Sequence, residues 1–217
     1  CDETHPAAFP DITYGFYPVF AQLNGIMYKE IPLDDDLSID PQKYADCGMT
    51  VFIANPNAPT GQILSLSQIE DILAFNPDNV VVIDEAYIDF GGETCVPLTK
   101  KYRNLLVVQT FSKSRSMAGA RLGFGIGNAE LIADMNTLRY STNPYNVNSY
   151  TAALGVGTLC DPEYTEANCR TVINNRNYLT GEMRDLGFEI KDSFANFVFA
   201  RHPEIGGAEL YEKLKEN

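Results

Sequence analysis

The feature that most restricts the fold of this chain is an alternation of short apolar runs with amphipathic stretches. Residues 50–54, 80–83, 105–109 and 122–126 have the length and composition of strands. Ser67 and Glu70 have the spacing of a capping box, which predicts a helix from there to about Phe75. Strands that alternate with helices predict an α/β protein, with a mainly parallel sheet flanked by helices.

The pattern changes after residue 128, where longer helical stretches begin. The elements predicted in this part are helices at 129–140, 147–159, 163–186 and 207–215, with short strands at 188–190 and 196–200. We therefore predict a soft domain boundary near residue 160. Residues 1–160 would form a large domain, and residues 161–217 would begin a smaller C-terminal α/β domain.

Charge and cysteine content exclude several kinds of partner. A net charge of −13 argues against nucleic acid and anionic membranes, which bind basic surfaces. The five cysteines are scattered without a C-x-x-C pair, which predicts neither a disulfide framework nor a zinc site and favours the reducing cytoplasm. The two histidines both precede proline, so we predict no metal site.

Polar residues follow three of the predicted strands. A Pro- and Asn-rich loop at 55–61 follows the first, Asp84 the second and Lys113 the third. Parallel strands joined by right-handed crossovers end at one edge, where ligands bind. Alone, Asp84 could cap a helix or lie in a solvated turn, and Lys113 could lie at the surface. A lysine and an aspartate brought to one cleft instead favour a functional site.

This pair suits pyridoxal phosphate. A lysine forms a Schiff base with that cofactor, and a carboxylate keeps its pyridine nitrogen protonated so that the ring accepts electrons. Arg121 lies between Gly119 and Gly123, where the backbone can come close and the guanidinium can clamp a phosphate. Thr110 and Ser112 could add hydroxyl donors. The alternative is a glycine-rich turn whose arginine pairs with one of the 29 acidic residues.

Three motifs in this order resemble those of class I and II aminotransferases. Residues 110–113 and 118–123 read T-F-S-K and A-G-A-R-L-G, like the family's lysine motif. Residues 82–87 read V-I-D-E-A-Y, and residues 55–61 read N-P-N-A-P-T-G, like two further family segments. Within this family the chain most resembles the histidinol-phosphate aminotransferases, through segments at 12–18, 87–90, 143–148 and 195–197.

The resemblance implies fold type I, with a large domain that binds pyridoxal 5′-phosphate, and a homodimer with shared active sites. Lys113 would carry the cofactor, and Asp84 would pair with its pyridine nitrogen. Tyr87 would donate its phenol to the ring oxygen, and Tyr14 would stack on the ring, although both could instead be core or rim aromatics. The remaining residues that the resemblance implies, all on the cofactor's phosphate, are Thr110, Ser112 and Arg121.

Two departures from the family pattern affect these expectations. Ala58 stands where the family has an asparagine that bonds the ring oxygen, so Asn57 or Tyr87 would take over, or the contact is missing. The resemblance also implies a Gly-rich phosphate segment and a tyrosine for the partner subunit before Cys1, and a substrate-binding arginine after Asn217. Both domains would thus be incomplete, the large one at its N-terminal side.

The activity implied is amino transfer from histidinol phosphate to 2-oxoglutarate, giving imidazole-acetol phosphate and glutamate in histidine biosynthesis. The partners would then be a phosphorylated amine and a 2-oxo acid. One alternative is a threonine-phosphate decarboxylase, which shares the cofactor and the motifs but breaks another bond at Cα. The other is a catalytically inactive fragment.

Overall fold

The computed structural model describes residues 4–216, which form two sheets and six α-helices. The strands are β1 Ala7–Pro10, β2 Tyr28–Ile31, β3 Thr50–Ala54, β4 Val81–Asp84, β5 Leu105–Thr110, β6 Gly123–Gly127, β7 Glu189–Ile190 and β8 Ala200–Arg201. The helices are α1 Phe16–Leu23, α2 Leu66–Phe75, α3 Ala129–Thr142, α4 Ser149–Leu159, α5 Pro162–Asp185 and α6 Gly207–Lys215.

Six strands form the main sheet in the order β2-β1-β3-β4-β5-β6. The first five are parallel, and β6 runs antiparallel to β5. Ala54 of β3 lies opposite Asp84 of β4, which in turn lies opposite Val108 of β5. The three central strands therefore end side by side at one edge of the sheet, which confirms the predicted α/β class with a mainly parallel sheet.

The two faces of the central strands differ because side chains alternate along a strand. Ile53, Ile83 and Val107 point to one face, where they are fully buried in a core that includes Ile69 and Ile72 of α2. Residues at the alternate positions point to the opposite face. Asp84 is one of them, so the last residue of β4 lies away from the α2 core.

Helix α2 begins earlier than predicted. Ser65, not Ser67, is its N-cap: Ser65 Oγ accepts from the Gln68 amide at 3.3 Å, and Gln68 Oε1 accepts from the Ser65 amide at 2.9 Å. This choice puts buried Leu64 before the cap and buried Ile69 at the fourth helical position, the arrangement of a hydrophobic staple. A cap at Ser67 would put Asp71 at that position, which cannot pack in the core.

The hydrophobic pattern of the sequence does not predict strands β1 and β2 or helix α1. Strand β1 reads A-A-F-P and lacks β-branched residues, although all four of its residues are buried. Helix α1 has no side-chain cap and carries Pro18 in its first turn. Its sequence therefore lacks the usual signals of a helix start. Tertiary pairing of β1 with β2 and β3 provides the order that local preference does not.

The C-terminal part agrees with all four predicted helices. α3, α4, α5 and α6 lie within about two residues of their predicted bounds at every end. The predicted strand at 196–200 is wrong in extent, because only Ala200–Arg201 pairs with Glu189–Ile190. The domain boundary near residue 160 stays a prediction. Within residues 4–216, the structure contains no helix of the length and apolarity that a membrane crossing requires.

The loop after β3 is tied to the C-terminal part at Gly61. Its φ of +72° is a conformation that glycine adopts freely, and a methyl group there would lie 2.8 Å from Ser193 Cβ. The amide of Phe194 donates to the Gly61 carbonyl at 2.8 Å, so the two segments cannot move apart freely.

We expect Gly61→Ala to lower the free energy of unfolding by about 1–3 kcal/mol, because it adds backbone strain to a steric clash. Urea unfolding measures the change. Gly181→Ala is the matched control, since Gly181 lies within α5 with open space around it, and this change should stabilise by up to about 1 kcal/mol. Equal effects of the two substitutions would contradict the account of Gly61.

Candidate active site

Asp84 is the central carboxylate of the site. Its Oδ2 accepts a hydrogen bond from the Tyr17 hydroxyl at 3.0 Å, and its Oδ1 accepts from the Ala86 amide at 3.1 Å. Burial raises the pKa of Asp84, while these two hydrogen bonds and the charge of Lys113 oppose the rise. The carboxylate is thus held in place at the end of β4 by donors on both of its oxygens.

Lys113 follows β5 in a turn built by its neighbours. The Thr110 side chain accepts from the Ser112 amide at 3.1 Å and donates to the Ser112 hydroxyl at 3.0 Å. The Ser114 hydroxyl donates to Asp89 on the other side of the lysine. The residue before Lys113 is therefore fixed by local bonds and the residue after it by a bond to a distant segment, which orients the lysine.

The Lys113 amine lies over an aromatic ring. Its Nζ is 5.2 Å from the centroid of the Tyr87 ring, within the range of a cation–π contact. Phe197 packs edge-on against the same ring with centroids 5.1 Å apart. Tyr87 is thus braced from the C-terminal part of the chain while it faces the lysine.

Arg121 adopts a left-handed backbone conformation with φ 54° and ψ 44°, after the short 3-10 turn Ala118–Ala120. Such a conformation is uncommon for a residue with a side chain, and its occurrence often marks a functional site. The guanidinium donates to the Ala118 carbonyl at 3.1 Å. Most of its N–H donors remain for other acceptors, because arginine has five.

These residues line one cavity of about 220 Å³ at the ends of β3, β4 and β5. Ala54, Asp84, Val108 and Thr110 occupy alternate positions that share one face of the sheet, which explains why they meet. Of the eight residues predicted for the site, the cavity brings together seven: Tyr14, Asp84, Tyr87, Thr110, Ser112, Lys113 and Arg121.

The structure does not bring the eighth, Asn57, into the cavity lining. Asn57 is 1% exposed, and its Oδ1 accepts from the Thr13 hydroxyl at 2.8 Å. Its Nδ2 donates to the Ile12 carbonyl at 2.9 Å and to the Thr60 hydroxyl at 3.1 Å. The amide is already bonded, so it holds the segment before Tyr14 in place, and neighbouring Ala58 lines the cavity instead.

Tyr14 forms an exposed wall of the cavity. Its side chain is 46% exposed, and its ring packs edge-on against Tyr17 with centroids 5.6 Å apart. The ring of Phe16 lies nearly parallel to it at 6.0 Å. Tyr14 therefore offers an aromatic face that the protein supports on one side.

Two further residues of the site are not among the predicted ones. Tyr17 bonds Asp84 directly across 67 positions of the sequence, and no helical spacing signals this contact, since Tyr14 lies before the start of α1. Glu85 is 1% exposed and accepts bonds from Thr94 Oγ1, the Cys95 amide and Gln109 Nε2 at 2.6–2.7 Å. Glu85 thereby ties the end of β4 to β5, just before Thr110.

The chain is similar to histidinol-phosphate aminotransferases in sequence. It is 49% identical to histidinol-phosphate aminotransferase 2 of Dechloromonas aromatica, covering 97% of this chain and 60% of that protein. It is 46% identical to the histidinol-phosphate aminotransferase of Lactococcus lactis subsp. lactis, covering 97% of this chain and 59% of that protein. The chain thus spans about 60% of the length of these relatives.

Solved structures show the same fold. The histidinol-phosphate aminotransferase of Clostridium acetobutylicum superposes with a TM-score of 0.89 at 26% identity, covering 98% of this chain and 66% of that one. The aspartate aminotransferase of Thermus thermophilus with maleate gives 0.85 at 20% identity, with coverage of 98% and 60%, a likeness of fold alone.

The family itself is shown by a match that extends over residues 1–217, to the family described as aminotransferase class I and II. The match includes every strand end that lines the cavity, together with the lysine turn. This chain belongs to the class I and II aminotransferase family.

Proposed function

We propose that the protein binds pyridoxal 5′-phosphate on Lys113 and transfers an amino group from histidinol phosphate to 2-oxoglutarate, as a step of histidine biosynthesis. The observation that carries the proposal is the single cavity that Lys113, Asp84 and Arg121 line together. The sequence relatives support the choice of substrate, since those named above are histidinol-phosphate aminotransferases at 46–49% identity.

The chemistry of the cavity fits this cofactor. A guanidinium and the hydroxyls of Thr110 and Ser112 suit a phosphate, and the Asp84 carboxylate suits a protonated pyridine nitrogen. The Lys113 amine suits an aldehyde carbon, and Tyr14 presents an aromatic face. Tyr87 would donate its phenol to the ring oxygen, with Ala58 offering no side-chain donor there. We assign Asn57 to positioning Tyr14 and not to the cofactor.

The residues of the cavity then have distinct tasks. Pyridoxal phosphate, when bound, supplies a protonated ring that accepts the electron pair released at the substrate's Cα. Asp84 would hold the proton on the pyridine nitrogen, and Arg121 would anchor the phosphate. The Lys113 amine would hold the cofactor and, when free, would take the proton from the substrate's Cα. The cation–π contact with Tyr87 keeps that amine near the cavity.

We further propose that the protein works as a homodimer in the cytoplasm. Exposed apolar side chains on and between α3 and α4, such as Leu138, Tyr145 and Tyr150, support a partner surface. Cys47, Cys95, Cys160 and Cys169 are free thiols, which suits a reducing compartment.

Replacing Lys113 with alanine should abolish covalent trapping of the cofactor and lower turnover by roughly 10²–10⁴-fold or more, because the amine that moves the Cα proton is lost. Incubation with pyridoxal phosphate, borohydride reduction and peptide mass mapping measure the trapping. Lys100→Ala is the control, since Lys100 is an exposed lysine of the short 3-10 helix Val96–Lys100. Labelling of another lysine in the unaltered protein would refute the assignment.

The substrate proposal is tested with two phosphorylated amines. We expect the full-length protein to convert 2-oxoglutarate to glutamate in the presence of histidinol phosphate. Release of CO₂ from threonine phosphate, without glutamate formation, would instead assign a decarboxylase. Cofactor trapping on Lys113 without either reaction would indicate a catalytically inactive member of the family.

Asp84→Asn should stabilise the cofactor-free protein at neutral pH, although it should impair catalysis. Burial raises the pKa of Asp84 in the folded state, so the unfolded chain loses this proton first as pH rises. The free energy of unfolding therefore decreases as pH rises from the ordinary pKa of Asp84 to its raised pKa. Above that window, ionised Asp84 destabilises the folded state. Urea unfolding at pH 3.5 and 7.5 should show an advantage of the variant that appears only at the higher pH. An equal difference at both values would contradict this account.

A further inference from the structure

We propose that Tyr17 is a positioning residue for Asp84: its hydroxyl holds one carboxylate oxygen and directs the carboxylate at the cavity. The proposal rests on the function proposed above, in which Asp84 binds the pyridine nitrogen. Tyr17 itself lies outside the set of residues that line the first cavity, so its action passes through Asp84.

The geometry gives Asp84 one protein donor on each oxygen. The Tyr17 hydroxyl donates to Oδ2 at 3.0 Å, and the Ala86 amide donates to Oδ1 at 3.1 Å. An ionised carboxylate can accept about four hydrogen bonds in total, so both oxygens keep capacity for a further donor. Two anchors from different elements, α1 and the loop after β4, fix the rotation of the carboxylate plane.

The ring of Tyr17 is held firmly enough to serve as an anchor. Its centroid lies 5.8 Å from Phe9 of β1, 5.8 Å from Phe52 of β3 and 5.6 Å from Tyr14. A second cavity of about 500 Å³ lies on this side of Asp84 and is also lined by Tyr17 and Phe20. Tyr17 and Asp84 thus both line this second cavity.

The direction of the hydrogen bond follows from the environment. Burial, then the charge of Asp84, raises the pKa of Tyr17 above its ordinary value, so the phenol keeps its proton and donates it. Burial raises the pKa of Asp84, and the Tyr17 bond is the largest effect that lowers it again. The charge of Lys113 lowers the pKa of Asp84, and that of Glu85 raises it. Tyr14 and Tyr87 also raise the pKa of Tyr17.

Tyr17→Phe distinguishes the role of the hydroxyl from that of the ring, because it removes the hydroxyl and keeps the aromatic packing. Tyr28→Phe is the matched control. Tyr28 stacks on the same Phe9 at 5.2 Å, and its hydroxyl accepts a hydrogen bond from Gln22 at 3.0 Å. Both variants lose one phenol oxygen next to Phe9, and only the first loses a donor to Asp84.

The first measurement uses the cofactor-free, full-length protein. Carboxyl ¹³C NMR should show that the titration midpoint of Asp84 rises in Tyr17→Phe and stays at its original value in Tyr28→Phe. An unchanged midpoint in Tyr17→Phe would overturn the proposal. This readout requires no bound cofactor, so it decides the role of Tyr17 even if the proposed function fails.

A second substitution, which changes the donor strength of the Tyr17 hydroxyl, tests the same hydrogen bond without removing it. Incorporation of 3,5-difluorotyrosine at position 17 makes the phenol a stronger donor without changing the ring packing greatly. The Asp84 midpoint should then move downward, opposite to its movement in Tyr17→Phe. Movement in the same direction for both substitutions would indicate a packing effect and refute the role of the hydrogen bond.

The second measurement uses protein loaded with pyridoxal phosphate labelled with ¹⁵N in the ring. We expect the pyridine nitrogen resonance of Tyr17→Phe to move toward that of the unprotonated ring, and cofactor affinity to fall about tenfold, the size of one hydrogen bond to a charged group. Tyr28→Phe should match the unaltered protein. Failure of the unaltered protein to take up cofactor on Lys113 would refute the proposed function; normal uptake with identical resonances would refute only the role of Tyr17.

Discussion

The parallel pairing of β3, β4 and β5 determines where every other part of the site lies. Their register puts Ala54, Asp84 and Val108 side by side at one edge of the sheet. Because side chains alternate along a strand, these residues share the face opposite the α2 core. A shift of one residue in any of the three strands would turn a core side chain into the cavity and the functional side chain into the core.

Polar residues beside the cavity stabilise this arrangement without lining it. Glu85 joins β4 to β5 through bonds to Thr94, Cys95 and Gln109, all at 2.6–2.7 Å. Asn57 fixes the segment that leads to Tyr14. Both are almost fully buried, and buried polar groups require partners, so each holds several segments in a single geometry. The site is thus supported by residues that need never touch a ligand.

The lysine turn and the arginine turn show how local backbone structure serves the site. Bonds among Thr110, Ser112 and Leu122 close the segment around Lys113, and Arg121 has a left-handed conformation next to it. The antiparallel pairing of β5 with β6 brings these two turns together, since β6 begins directly after the arginine turn. The antiparallel pair of β5 and β6 therefore places the Lys113 amine and the Arg121 guanidinium at one cavity.

Sequence patterns alone indicate the α/β class, the three central strands and most of the helices after residue 128, because long periodic stretches are local signals. The motifs likewise indicate Lys113, Asp84 and Arg121 together, since strand ends carry their chemistry in plain sequence. Local patterns did not indicate β1 and α1, whose residues have weak preferences and are ordered by tertiary pairing.

The sequence by itself thus determined the central strands of the sheet, the lysine motif and the acid at the end of β4. Only the tertiary structure decided which polar side chains face the cavity. The Asn57 side-chain amide forms hydrogen bonds with Thr13, Ile12 and Thr60, while Tyr17 bonds Asp84 across 67 positions of the sequence. The physical reason is that hydrogen-bond partners distant in sequence depend on how α1 packs on the sheet, and no local pattern encodes that packing.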